Sequence, residues 1–163
     1  MASTKNNACT LIDRFSMSER IVMRLGWYGF MAVGIYGVFK QSPGWAAAYL
    51  LYSVLSFALV VLPGLCAHCP YPSRYGTCLF LPPKLVNRFY PYKGPHMNPL
   101  SKIAVPIAMA GIVLLPNLWL VSDPLLLMLF WLLALPTLMV FPIYYCRRCR
   151  HVECPLNKAV APE

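Results

Sequence analysis

The sequence predicts an all-α integral membrane protein: four transmembrane helices, arranged as two tandem parallel-repeat hairpins, each followed by a cytoplasmic cysteine-rich motif. Three observations carry that prediction. The chain is 59% hydrophobic and 12% charged, with a mean hydropathy of +0.58, more apolar surface than a soluble domain of 163 residues can hide in a core. Four stretches reach the roughly 20 apolar residues that cross a bilayer. A Cys-x2-Cys motif follows the second stretch and another follows the fourth.

The first span is expected over 21–39. Residues 1–16 before it are polar, and the apolar run lacks a small-residue cleavage site, so it reads as a retained span and not as a removable signal. Arg24 sits near the start of this span, where its long side chain can reach the headgroups. The second span, 44–63, opens on Ser42-Pro43 and the fourth, 125–145, on Ser122-Asp123-Pro124, each a capping residue with proline at the first helical position. The third span covers 103–121. Pro106, Pro116, Pro136 and Pro142 predict kinks in the last two spans, which membrane helices tolerate when neighbours re-satisfy the freed carbonyls. Trp45, Tyr49 and the run Phe89-Tyr90-Pro91-Tyr92 read as interfacial aromatic residues. Little of the chain remains for a separate soluble domain, and 1–163 reads as a single membrane domain.

Charge sets the orientation. The net charge is +9, but no arginine-rich helix or aromatic-studded sheet accompanies it, so a nucleic-acid partner is not implied. Of the 14 basic residues only Lys40 lies in the two short turns; the others precede or open span one, separate spans two and three, or follow span four. With four spans these groups share one side. The positive-inside bias makes that side the cytoplasm, with both termini on it, in an inner or plasma membrane. Binding of the same cations to anionic headgroups gives the same topology.

The two halves resemble each other, repeat one over about 17–80 and repeat two over about 101–156. Val61-Leu62-Pro63 leads into Cys66-Ala67-His68-Cys69, and Val140-Phe141-Pro142 leads into Cys146-Arg147-Arg148-Cys149; a third cysteine follows each, Cys78 or Cys154. Each unit holds an even number of spans, so duplicated copies share one orientation about an axis along the membrane normal. Both clusters then emerge side by side.

Six of the seven cysteines lie in these motifs, with His68 and His151 inside them. The Cys-x2-Cys spacing suits a metal because a tight turn aims two thiolates at one ion. Cys66, Cys69, Cys78, Cys146, Cys149, Cys154, His68 and His151 are therefore the candidate ligands. Disulfides are the competing structural explanation, disfavoured on a reducing side. Arg147, Arg148 and Arg150 either offset thiolate charge or serve only as membrane anchors. The donors suffice for two tetrahedral zinc sites or one shared ion. An iron–sulfur cluster is slightly preferred, since proline follows Cys69 and Cys154 as it follows the last ligand of ferredoxin motifs, although the full ferredoxin spacing is not reproduced. Cys9 reads as a free thiol and His96 as an ordinary loop residue.

Spans two to four carry no acidic or basic side chain, with Asn117 their main polar group. A charge at midplane costs roughly 2.5–3.5 kcal/mol and is kept for function, so ion or proton transport is disfavoured. No nucleophile elbow, nucleotide loop or carboxylate pair is present among only five acids. Four spans with a Cys-x2-Cys pair resemble in outline the disulfide-forming quinone reductases of membranes, but those act on the oxidising side, and their roles are not carried over. The expected function is a small, non-catalytic membrane subunit whose cytoplasmic metal or iron–sulfur centre transfers electrons within a membrane complex or to a soluble redox protein, with a bilayer quinone within reach. A zinc-clamped scaffold or assembly factor and a thiol–disulfide oxidoreductase are the alternatives.

Overall fold

The computed structural model describes residues 12–149, and among them every regular element is helical. Four helices are long and apolar enough to cross a membrane: Met17–Gln41, Pro43–Cys66, Pro99–Leu120 and Pro124–Arg148. Each extends the expected span by a few residues at one or both ends, because polar caps and half-buried ends prolong the helix beyond the strictly apolar run.

Helix α1 (Met17–Gln41) starts at a capping box. In it Ser16 Oγ accepts from Glu19 N at 3.2 Å, and Ser16 N donates to Glu19 Oε2 at 2.7 Å. Ser42 breaks the helix in extended conformation, and Pro43 starts α2 (Pro43–Ser56). Ser42 makes no capping side-chain bond, unlike Asp123, which accepts from Leu126 N to begin α6 (Pro124–Val140). Between them lie α3 (Pro83–Phe89), α4 (Pro99–Leu114) and the short α5 (Asn117–Leu120).

The prolines act unequally. Pro106 and Pro136 lie inside helices that stay α-helical, whereas α4 breaks at Pro116. The second and fourth spans both widen into π-helix around a proline at their cysteine end, over Phe57–Cys66 with Pro63 and over Phe141–Tyr145 with Pro142. Proline lacks the N–H that an α-helix needs there, and a π-bulge absorbs the missing bond.

Span one packs most extensively on α6, and α4 on the π segment of span two; α1 also lies along α2, while α6 meets its own hairpin partner chiefly through α5. Small residues permit the approach. A Cβ at Gly26 would collide with Thr137 Oγ1, one at Gly37 with Leu120, and one at Gly64 would lie 2.7 Å from Val105 Cγ2. Trp27, Phe30, Val113, Leu120, Phe130 and Ala134 form the bundle core. Outward-facing Leu118 (73% exposed), Leu125 (74%) and Met128 (71%) leave an apolar girdle. In a bilayer that girdle faces lipid.

Most polar groups inside the bundle find partners, the buried Ser53 hydroxyl being an exception among the described residues. Asn117 donates to Val113 O at 2.7 Å and accepts from Trp131 Nε1 at 2.9 Å. Tyr49, expected at the interface, is instead buried and donates to Ile112 O at 2.6 Å, since its position on α2 faces span three. Trp45 does stay exposed, beside Trp119. At the end of the bundle opposite the cysteines, Lys40 Nζ meets Asp123 Oδ2 at 2.8 Å, and Gln41 Nε2 donates to Trp119 O at 2.8 Å and to Ser122 Oγ. These contacts fasten the two turns together.

Candidate metal centre

At the other end, the π turns deliver the cysteine motifs. Ala67 N bonds Leu62 O at 2.9 Å and Cys69 N bonds Cys66 O at 3.2 Å, folding the first Cys-x2-Cys into a tight turn. The chain then makes another π turn, Tyr71–Tyr75, which ends on Gly76 at φ 62°. Glycine adopts that left-handed conformation without strain. The reversal leads the chain into Cys78, which is buried. The second motif starts at buried Cys146 and runs through a 3₁₀ turn, Cys146–Arg148, to half-buried Cys149.

The two motifs meet. Cys66, Cys69 and Cys78 from one half and Cys146 and Cys149 from the other line a single cavity of about 90 Å³, walled by Phe15, Tyr71, Phe141 and Tyr145 among others. Phe15 holds this wall together, tilted against Tyr71 at 4.6 Å and edge-on to Tyr145 at 5.7 Å. Both arrangements are favoured by the ring quadrupoles. Two hydrogen bonds hold the N-terminal segment against this wall: Ile12 N donates to Arg148 O at 2.9 Å, and Tyr71 OH donates to Ile12 O at 2.7 Å. The volume exceeds that needed for one water several-fold, so the space admits a group of several atoms.

Burial among apolar and aromatic side chains pushes the Cys69 thiol well above its ordinary range; a hydrogen bond from the Tyr71 backbone works against this, and neighbouring Cys66, Cys149 and Cys78 add to the rise. Left alone, such a thiol stays protonated at neutral pH. A bound cation supplies the charge that makes the thiolate favourable, with release of the proton. Among the described residues no group of three or more His, Cys, Asp or Glu side chains is set to hold a metal ion. The thiols converge on one space without closing on one point.

The remaining expected ligands fall elsewhere. His68 turns away from the cavity, its Nδ1 2.9 Å from Gly94 O, where it fixes the following loop. Cys154, His151, Arg150 and Cys9 lie outside the described residues. Arg148 sits 4.6 Å over the Tyr144 ring. That cation–π contact engages it in packing.

Two contributors have no motif in the sequence. Arg24, expected to snorkel to headgroups, instead reaches across to the loop and donates from Nε to Leu79 O at 3.2 Å and from Nη2 to Cys78 O at 3.4 Å. Its neighbour one turn on, Tyr28, donates to Phe80 O at 3.3 Å. Span one thereby pins the third cysteine's segment against the cavity. A cation placed inside an apolar run was the available signal, because such a group needs a partner at that depth. The Ile12–Phe15 contacts left no comparable signal in the sequence.

No protein-family model matches the chain, and neither does any curated protein or solved structure.

Proposed function

We propose that the protein is a small membrane subunit whose two cysteine motifs jointly ligate an iron–sulfur cluster and pass electrons within a membrane redox complex. The observation that carries this reading is the single cavity lined by five cysteines drawn from both halves of the chain. A tetrahedral zinc site requires thiolates about 3.8 Å apart, given Zn–S bonds of about 2.3 Å. A polynuclear cluster interposes its own irons and sulfides and accepts ligands spread around a space, which five cysteines lining one cavity would suit. The aromatic wall suits a redox centre, since low polarity tunes its potential and limits water access. Cys154, with His151, is the natural further ligand, following Cys149 closely in the chain.

The test is composition and colour. Protein purified without oxygen should contain iron and acid-labile sulfide in equal amounts, absorb in the visible and bleach with dithionite. A colourless protein with stoichiometric zinc would replace this reading with the structural clamp; a metal-free protein whose thiols cycle with disulfides would replace it with the oxidoreductase.

The tandem repeat and the orientation belong to the same proposal. Both even-numbered spans end in a π-helical stretch that contains a proline shortly before their first cysteine, and the two most extensive helix contacts, span one with four and span three with two, are equivalents under a two-fold axis along the membrane normal. The cations assign the cysteine end to the cytoplasm. Gly44 is exposed in the turn after span one, with room for a side chain. In intact cells Gly44→Cys should react with an impermeant maleimide and Lys93→Cys should not; the reverse pattern would invert the topology.

A further inference from the structure

A second, larger cavity of about 300 Å³ adjoins the cysteine chamber, with Leu65, Cys66, Phe80 and Phe141 lining both spaces. Its volume falls within the range of small-molecule sites. It extends along span three from Ser101 to Met109. At roughly 1.5 Å per helical residue that is a length of about 12 Å. Trp27, Phe57, Phe80 and Phe141 give it flat aromatic walls. The wall is almost wholly apolar; Trp27 and, in the first turn of α4 at the cysteine end, Ser101 are lining side chains that can donate a hydrogen bond, while Lys102 next to Ser101 is exposed.

We propose that this cavity binds the ring of a membrane quinone. A quinone ring is a flat apolar plate with carbonyl oxygens that only accept hydrogen bonds, matching apolar aromatic walls with the Ser101 hydroxyl at one end. A phospholipid acyl chain would leave the flat walls unmatched, and its headgroup phosphate is the competing acceptor for Ser101 and Lys102, which the lipid displacement below distinguishes. The ligand reaches the site from the bilayer, where its isoprenoid tail dissolves. With Cys66, Phe80 and Phe141 as the shared partition, the ring lies beside the proposed cluster; its redox use rests on that reading, but its binding does not.

The test uses the full-length protein in phosphatidylcholine vesicles, titrated with decylbenzoquinone, with Trp27 fluorescence as readout. Quenching should saturate in the wild type, and the saturable part should vanish in Trp27→Phe. Met109→Phe, which fills the cavity, should shift saturation to at least about tenfold higher quinone, a loss equivalent to about 1.4 kcal/mol. Ser101→Ala, which leaves the packing intact, should shift it about fivefold, as expected for one lost hydrogen bond. Quenching that rises linearly, or saturation unchanged in both variants, overturns the assignment. Displacement of the quinone by phosphatidylglycerol at ordinary membrane content also overturns it, in favour of a lipid site. Iron is counted in the same samples: a colourless protein that still saturates removes the cluster alone, and an iron-loaded protein that does not saturate removes the quinone alone.

Discussion

Cys69→Ser and Cys149→Ser are each expected to strip the protein of most of its iron and to lower its unfolding midpoint in detergent by on the order of 10 °C, whereas Cys9→Ser should change neither. The two serines should act alike because each removes one ligand from a cavity that both halves of the chain line. A structural metal contributes about 10–16 kcal/mol in small peptides. The bundle already has its helix packing, so only part of that should appear as lost stability, and that part would measure how far the proposed cluster ties hairpin to hairpin. Iron and sulfide analysis with thermal melts followed by circular dichroism provides the check. Full iron content in both variants would mean that the cysteines are not ligands.

Arg24→Leu should have the next largest effect. The substitution suits an apolar span by composition, yet it leaves the carbonyls of Cys78 and Leu79 without the donor they have now. A fully buried orphaned carbonyl costs about 1–3 kcal/mol and these part-buried ones cost less, so the midpoint should fall by a few degrees and loading of the proposed cluster should become partial. Arg24→Lys should recover only part of the loss, since an ammonium is a point donor where the guanidinium spans two acceptors. If Arg24→Leu is as stable as the wild type and fully loaded, the arginine is only an anchor and the Cys78 segment is held by other contacts.

The contrast between Arg24 and the cysteines shows what was legible beforehand. The spans were, because a bilayer demands long apolar runs whatever the tertiary fold, and Ile103, Leu118 and Leu125 still face outward as that demand requires. The meeting of the two motifs was foreseeable from their positions after the second and fourth spans, which end on the same side. The direction of individual polar side chains was not: His68 and Tyr49 each chose a nearby carbonyl over the role their neighbours suggested, because a buried donor is worth most where an unpaired acceptor waits. The π turns were also hidden. Proline marked where an α-helix would lose a bond, but not whether the chain would break, as at Pro116, or widen, as at Pro63 and Pro142. The packing of Ile12 and Phe15 depends on a few residues with no periodicity to read.

A chamber assembled from two distant motifs also has a history during synthesis. Cys66 and Cys69 leave the ribosome well before Cys146, which follows Cys69 by 77 positions. At about 5–20 residues per second the first half waits roughly 4–15 s for its complement. During that interval three thiols stand without the wall that Phe141 and Tyr145 later supply. During synthesis the first-half thiols are therefore more open to oxidants than in the finished chain, where both motifs line one cavity.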